Sequence, residues 1–282
     1  MTSQTYKAML PEIERIAREA GELVRSGYRR GASHTRTDVS KKGAIDLVTE
    51  FDLKSEAHIV RELGRVFPDI AIVGEEGQGK RAVTEAADSA LRFFVDPIDG
   101  TTNFAHGHPF FCVSIGLCAG VTPVAGVIYA PILEVCWAGA VGSGATRNGE
   151  SCLVSSCEEL GEALCATGFG YDVAGKVDDN VAEFGAIQAR ARGVRRCGAA
   201  ALDLALVADG TYDAYWEFML QPWDLAAGAA LVLAAGGQAT GFSGQPLDAL
   251  EGAVVATSTP ALSRELVSMV QQVRGGRPVP TR

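Results

Sequence analysis

The heptapeptide Asp96-Pro-Ile-Asp99-Gly-Thr101-Thr102 sets two carboxylates three residues apart around a proline, directly after the apolar run Phe93-Phe-Val95. A buried strand that stops at this point delivers both acids to the rim of a sheet, where sites in layered α/β folds collect. Pro97 fixes its own φ and biases Asp96 toward an extended backbone, so the pair is presented rigidly and the Ile98 carbonyl can turn toward the same point. Carboxylates and a carbonyl are hard oxygen donors, suited to Mg²⁺ or Ca²⁺ rather than zinc. Gly100-Thr101-Thr102 then offers backbone N–H groups at a helix start, a cradle for an anion already bridged to a metal. An isolated Asp-Gly is an ordinary Asx turn. The whole motif with a strand in front of it points instead to chemistry.

Two further acidic positions fall at element boundaries. Glu75 and Glu76 follow the strand candidate Ile70–Val73, and because they are adjacent only one of them can easily face the Asp pair. Asp224 opens the most apolar helix in the chain, where it reads equally as an N-cap or as a member of the acidic set. Lys41 and Lys42 by themselves read as a solvated pair. His34, His58, His106 and His108 include no metal-binding pair on one helix. His106 and His108 follow the Asp motif closely enough to reach a pocket lip.

Three other chemistries fail on single residues. Gly74-Glu-Glu-Gly-Gln-Gly-Lys80 has P-loop spacing, but Arg81 stands where Ser or Thr must bind magnesium, and two Glu would repel phosphates. An aspartyl-phosphate route of the haloacid-dehalogenase type needs its nucleophile two residues before a second Asp, and Pro97 occupies that position. Ser114 resembles a nucleophile elbow except that Cys112 replaces its first glycine, so it reads as a strand serine.

The elements that must carry these residues follow from periodicity. Ile13, Ile16, Ala17, Ala20, Leu23 and Val24 recur at helical spacing within 11–28, and 52–67 is a second amphipathic segment ended by Pro68. The runs 110–118, 124–130 and 133–140, with hairpin-turn chemistry at Arg147-Asn-Gly149, predict an antiparallel meander. Beyond Ser151, strand and helix candidates alternate: 163–168, 177–191, 199–209, 212–217 and a buried helix over 223–235. The expected organisation is one unit with an N-terminal lobe of about residues 1–150, a C-terminal lobe of about 151–275 and a flexible tail at 276–282.

Composition narrows the partners. The chain has 282 residues, 47% of them hydrophobic, enough to bury a large core without staples. Seven Cys lie scattered with no CxxC pair, which reads as reduced thiols, and with no secretory leader this predicts a cytoplasmic protein. Residues 225–237, the most apolar stretch, are too short to span a membrane. A net charge of −9 argues against nucleic acid or anionic lipid, and it means that an anionic substrate needs bound cations to reverse the local sign.

Taken in order, Gly-Glu-Glu at 74–76, Asp-Pro-Ile-Asp-Gly-Thr-Thr-Asn-Phe at 96–104 and Trp-Asp at 223–224 resemble the signatures of the inositol monophosphatase family. Asp46-Leu-Val-Thr-Glu-Phe-Asp52, Gly198-Ala-Ala200, Tyr215-Trp-Glu217 and the glycines at 236 and 237 extend the resemblance over nearly the whole chain. Gly77 and Gly170 depart from it, at positions often Ser or Thr and Pro respectively. The resemblance implies an α/β (α+β layered) fold, an αβαβα five-layer sandwich of the carbohydrate-phosphatase type, usually dimeric, that requires Mg²⁺ and is inhibited by Li⁺.

By the same resemblance, Glu75, Asp96, the Ile98 carbonyl, Asp99 and Asp224 would hold two or three Mg²⁺ ions, with Mn²⁺ as a substitute. Glu75 and Thr101 would aim the attacking water, Asp52 would support Thr101, and the Gly100 and Thr101 amides would bind phosphate oxygens. Ala200, Glu217 and Asp224 would face the alcohol, Lys41 would lie near the most mobile metal, and Glu76 is the alternative to Glu75. The expected activity is hydrolysis of myo-inositol monophosphate, a small phosphorylated polyol, by a homodimer. The alternatives are a related phosphatase acting on fructose 1,6-bisphosphate, NADP, histidinol phosphate or nucleotide phosphates, or a regulatory partner of the transcription machinery.

Overall fold

The computed structural model describes residues 2–28, 39–41, 47–77, 91–170 and 179–280, with the backbone alone at 39–41 and 47–48. Helix α1 (Ser3–Gly27), the antiparallel pair β1 (Val39–Lys41) and β2 (Leu47–Thr49), and α2 (Glu50–Val66) come first. Strands β3 (Ala71–Gly74) and β4 (Leu91–Asp99) precede the short helix α3 (Thr101–Ala105). The meander follows as β5 (Cys112–Ala119), β6 (Thr122–Ala130), β7 (Val135–Ala140), β8 (Gly144–Arg147) and β9 (Glu150–Cys152). The second half runs β10 (Leu164–Thr167), α4 (Val181–Gln188), β11 (Gly193–Arg195), α5 (Ala200–Ala208), β12 (Ala214–Phe218), α6 (Pro222–Ala234), β13 (Gln238–Thr240), β14 (Ala253–Thr257) and α7 (Pro260–Arg274).

Two sheets organise these elements. Strands β3 to β9 form a seven-stranded sheet in sequence order, parallel only between β3 and β4. The other sheet has five strands in the order β11-β10-β12-β14-β13. Helices α1 and α2 cover one face of the larger sheet, α5 and α6 lie between the sheets, and α4 and α7 cover the outer face of the smaller one. Three apolar clusters fill the spaces between layers: one beneath α1 and α2, one on both sides of α5 and α6, and one beneath α4 and α7. This is the five-layer αβαβα sandwich that the resemblance implied.

Local chemistry explains the layers. Ile13, Ile16, Ala17, Ala20 and Val24 form the buried stripe of α1, while Arg15 and Arg18 pair with Glu12, Glu19 and Glu14 on its wet face. Helix α6 has no such polar face, because sheets press on it from both sides. A Cβ at Gly116 or Gly126 would collide with the Ala227 backbone, so these two glycines let α6 sink onto β5 and β6. That approach brings the first turn of α6, with Asp224, against the end of β4. The Asn148-Gly149 turn has φ of 50° and 83°, left-handed at both central residues, as a tight two-residue hairpin requires.

One expectation needs adjustment. The strand expected to stop at Val95 runs on to Asp99, with a register shift: Asp96 pairs with Ser114 and Asp99 with Cys112, so three steps on β4 face two on β5. Pro97, which has no N–H to donate, lies within the irregular stretch, and the extra residue turns the acids out of the regular pleat. Past α7, Arg274 donates to the Pro278 carbonyl, and Val279 packs on the α4–α7 cluster.

Candidate active site

A cavity of about 500 Å³ opens where β4 ends and the first turns of α3, α5 and α6 converge. On the β4 side, α2 begins with a capping box in which Thr49 accepts from first-turn N–H groups and Asp52 accepts from the Thr49 N–H at 2.7 Å. The other Asp52 oxygen lies 3.1 Å from the Thr101 hydroxyl, which is also 2.9 Å from the Ile98 carbonyl. Asp52 is fully buried, and its carboxyl is pushed up to about 6, by burial first and with Glu76 adding repulsion, against the hydrogen bonds from Thr49 and Thr101.

Asp96 accepts from the Ile98 N–H at 2.9 Å, which closes the motif on itself. Glu75 enters beside it because its N–H donates to the Val95 carbonyl, extending the β3–β4 pairing by one bond. Glu76 takes the opposite course. Its N–H is anchored at 2.7 Å by the buried Glu56 carboxylate, and it does not line the cavity as Glu75 does. The two adjacent residues, in the turn just past β3, thus face different surroundings.

Asp99 and Asp224 meet helix N-termini in different ways. Asp99 accepts backbone N–H groups of Ala200, Ala201 and Leu202 at 3.1, 2.8 and 3.2 Å, so α5 is capped by a residue a hundred positions earlier in the chain. Those bonds oppose burial, which nonetheless lifts the Asp99 carboxyl to about 6. Asp224 caps its own helix, accepting from the Gln221 N–H at 2.7 Å. Burial holds Asp224 well above the usual carboxylate range, with Glu75, Asp99 and Glu217 adding to it. Asp96 is likewise held well above that range, by burial and then by the charges of Glu75, Asp99 and Asp224.

The opposite wall is built from the smaller sheet. Glu217, near the end of β12, accepts from the Tyr215 hydroxyl. Gly168, one residue past β10, lies so close that a Cβ there would overlap the Glu217 carboxylate. Ala200 lines the cavity, with its N–H committed to Asp99. Gly100, in the left-handed region at φ 92°, precedes α3 and faces the same space.

Two lining residues, Arg196 and Asp203, gave no signal in the sequence, and Asn103 stood in the 96–104 signature without an assigned task. Arg196, whose guanidinium lies over the Phe169 ring, is the one cation on the cavity wall among the described residues. Asp203, one turn past Ala200, is buried with one carboxylate oxygen that has no hydrogen-bond partner among the described residues. Its carboxyl is raised well above the usual range by burial and then by Asp99 and Glu217. Only the helical spacing of Asp203 from Ala200 could have suggested it. Asn103 ties α3 to the 197–198 turn, donating to the Phe110 and Cys197 carbonyls at 2.7 and 2.8 Å. His106 and His108 do not line the cavity. Lys41 falls in β1, but its side chain lies outside the described residues.

The donor set fits hard divalent cations. Glu75, Asp96, Asp99, Asp224 and the Ile98 carbonyl all face one cavity, and every donor is oxygen. Burial raises three of the carboxyls, and at Asp96 and Asp224 repulsion from acidic neighbours adds to it, an excess of negative charge that a divalent ion would relieve. Among the described residues, no three acidic side chains as placed form a group able to hold a single ion. Asp99 and Asp224 both have oxygens engaged by backbone N–H groups.

A profile of the inositol monophosphatase family matches residues 6–274. An inositol-1-monophosphatase from Synechocystis is 42% identical over 221 residues, 78% of this chain and 76% of that protein. A Nus factor SuhB from Pseudomonas aeruginosa is 40% identical over 253 residues, 89% of this chain and 92% of that one. The solved structure of an inositol monophosphatase from Anabaena (Nostoc) superposes with a TM-score of 0.81 at 36% identity, covering 97% of each chain.

Proposed function

The chain belongs to the inositol monophosphatase family and is a phosphoric monoester hydrolase, and from that premise we propose that it converts myo-inositol monophosphate to inositol and phosphate with Mg²⁺ as its cofactor. One observation carries the reading. Four acidic side chains from three separate stretches of chain share a buried cavity with the Gly100–Thr101 turn and with a polar wall at Glu217.

In this reading Glu75, Asp96, the Ile98 carbonyl, Asp99 and Asp224 hold two or three Mg²⁺ ions, with Mn²⁺ able to replace them. When bound, such ions neutralise the phosphoryl oxygens, lower the pKa of a water and stabilise the leaving alkoxide. Phosphoryl transfer asks mainly for positioning and charge, so no side-chain nucleophile is required. Thr101 Oγ1, its proton directed to Asp52 Oδ1 or the Ile98 carbonyl, accepts a hydrogen bond from the attacking water and fixes its line of approach. Asp52, with its raised pKa, receives a proton through Thr101, and Glu75 orients the same water from the β3 side. The Gly100 and Thr101 amides cradle the phosphate oxygens. Ala200, Glu217 and Asp224 face the alcohol, whose hydroxyls are the natural donors to buried carboxylates.

Phosphate release from inositol 1-phosphate, measured with and without Mg²⁺, tests this directly. Release that depends on the metal and exceeds that from fructose 1,6-bisphosphate, NADP, histidinol phosphate and nucleotide phosphates is expected. A higher kcat/KM for any of those would reassign the substrate. A homodimer is expected by light scattering. A cytoplasmic location agrees with seven unpaired thiols, and no described helix is long and apolar enough to cross a membrane. The name of the Pseudomonas relative motivates a second role, binding to the transcription machinery. Co-purification of RNA polymerase with the tagged full chain would test it.

A further inference from the structure

Asn180 does not line the cavity, and neither the acidic cluster nor the cofactor gives it a task. Its construction is nonetheless expensive. The backbone is left-handed at φ 64°, a conformation that costs energy for any residue but glycine and is best tolerated by Asn and Asp. It stands at the N-cap of α4, where an Asn side chain would ordinarily accept from first-turn N–H groups, yet it makes no such bond. The side chain turns inward, 2% exposed, and ties three points together. Nδ2 donates to Thr167 Oγ1 at 2.9 Å and to the Gly168 carbonyl at 2.7 Å, and Oδ1 accepts from the Trp216 indole N–H at 2.9 Å.

The placement of those ties matters. The parallel ladder between β10 and β12 ends at the Thr167–Trp216 pair. The Asn180 amide takes over where the register of the two strands stops. The next residue on each strand is Gly168 and Glu217, the glycine with no room for a Cβ and the carboxylate against it. Phe169 and Gly170 then continue along the cavity wall. Without the amide, the Gly168 carbonyl and the Trp216 indole both lose a partner, and nothing in the ladder beyond Thr167 holds Gly168 down.

We propose that Asn180 is a positioning residue for substrate choice: by clamping Gly168 against the Glu217 carboxylate, it fixes the angle at which Glu217 meets the hydroxyls of the alcohol group. The inference rests on the reading of Glu217 as the residue that accepts from those hydroxyls. Asp cannot substitute, because it offers no donor to the Gly168 carbonyl. Gly relieves the backbone but removes every tie.

Asn180→Asp and Asn180→Gly, made in the full chain, are assayed with Mg²⁺ on inositol 1-phosphate and on p-nitrophenyl phosphate, which has no hydroxyl for Glu217 to hold. In Asn180→Asp, KM for inositol 1-phosphate should rise roughly tenfold with kcat within about twofold, while the aryl ester is processed as before. If that variant does not fold, Asn180→Gly, which keeps the left-handed backbone without strain, carries the same expectation. Glu217→Gln alone should shift selectivity the same way, and adding Asn180→Asp to it should shift selectivity no further. If Glu217→Gln leaves selectivity unchanged, the hydroxyl-reading role of Glu217 is wrong and the proposal goes with it. If Glu217→Gln shifts selectivity but the Asn180 variants slow both esters equally, leave KM unchanged, or add independently to Glu217→Gln, Asn180 is only a structural anchor and the proposal is overturned.

Discussion

The two walls of the cavity are built on opposite plans. On the acidic wall, Asp96 is held by the Ile98 N–H and Asp224 by Gln221, both close by in sequence, and Asp52, behind the wall, is held by Thr49. On the Glu217 wall, the local bond from the Tyr215 hydroxyl is joined by support from afar, through Gly168 and through Asn180, the latter bonded to Thr167 and Trp216 across 13 and 36 residues. The difference follows from the forces involved. Carboxylates crowded in a buried cavity repel one another, and short local bonds hold them against that repulsion with little chain entropy to offset. The Glu217 wall gathers fewer carboxylates, although Glu217 still repels Asp224 and Asp203, and more of its bracing is assembled from distant elements.

Asp99 tests the acidic wall most severely, because it alone there is held by a distant helix. Asp99→Asn removes a charge with little change of shape, and kcat should fall by about 10³-fold while circular dichroism shows a folded chain. Near-normal turnover would mean that the Asp-Pro-Ile-Asp segment serves only as a turn. On the other wall, Gly168→Ala puts a methyl into the space of the Glu217 carboxylate. KM for inositol 1-phosphate should rise about tenfold or more, with a much smaller effect on p-nitrophenyl phosphate. Equal losses on both esters would erase the proposed division between the walls.

The acidic wall also predicts a pH dependence. Asp99 and Asp52 titrate near 6 in the folded protein against an ordinary value of 3.8, so between those values the folded state binds more protons than the unfolded. Stability of the metal-free protein therefore falls as pH rises from about 4 through about 6 and stays at the lower level above it. Thermal unfolding in EDTA should show a lower Tm at pH 7.5 than at pH 5, and millimolar Mg²⁺ should recover the difference at pH 7.5. A Tm that rises over the same interval in EDTA would contradict the burial of these carboxyls. The smallest effect is expected from Thr49→Ala, which removes the cap of α2 and costs about 1 kcal/mol, seen as a Tm lower by about 2–4 °C. Because Asp52 then loses the Thr49 hydroxyl but keeps the Thr49 backbone N–H and the Thr101 hydroxyl, activity should drop far less than in Asp99→Asn.

Most of the frame was legible from residue order, because it rests on short-range regularities. The stripe of α1, the Asn148-Gly149 hairpin and the meander follow from periodicity and turn chemistry that neighbours a few residues apart enforce. β4 was harder. The bulge between Asp96 and Asp99 is defined by pairing with β5, which spacing alone does not reveal. Arg196 and Asp203 gave no signal because nothing in their immediate surroundings is unusual, and each gains its place from strands and helices closing around it, whereas Asn103 stood within the 96–104 signature with no task assigned to it.

By itself, the amino-acid sequence determined which groups could do chemistry here: hard oxygen donors, a rigid Pro-containing acidic turn and a glycine-led helix start, along with the alternation of elements that could carry them. Those properties belong to residue types and near neighbours. Only the tertiary structure decided that Glu75 rather than Glu76 reaches the cavity, that Asp99 caps α5, and that Asn180 braces Gly168 beside Glu217. These depend on close packing between segments far apart in the chain, as where Gly168 meets Glu217 with no room for one more carbon.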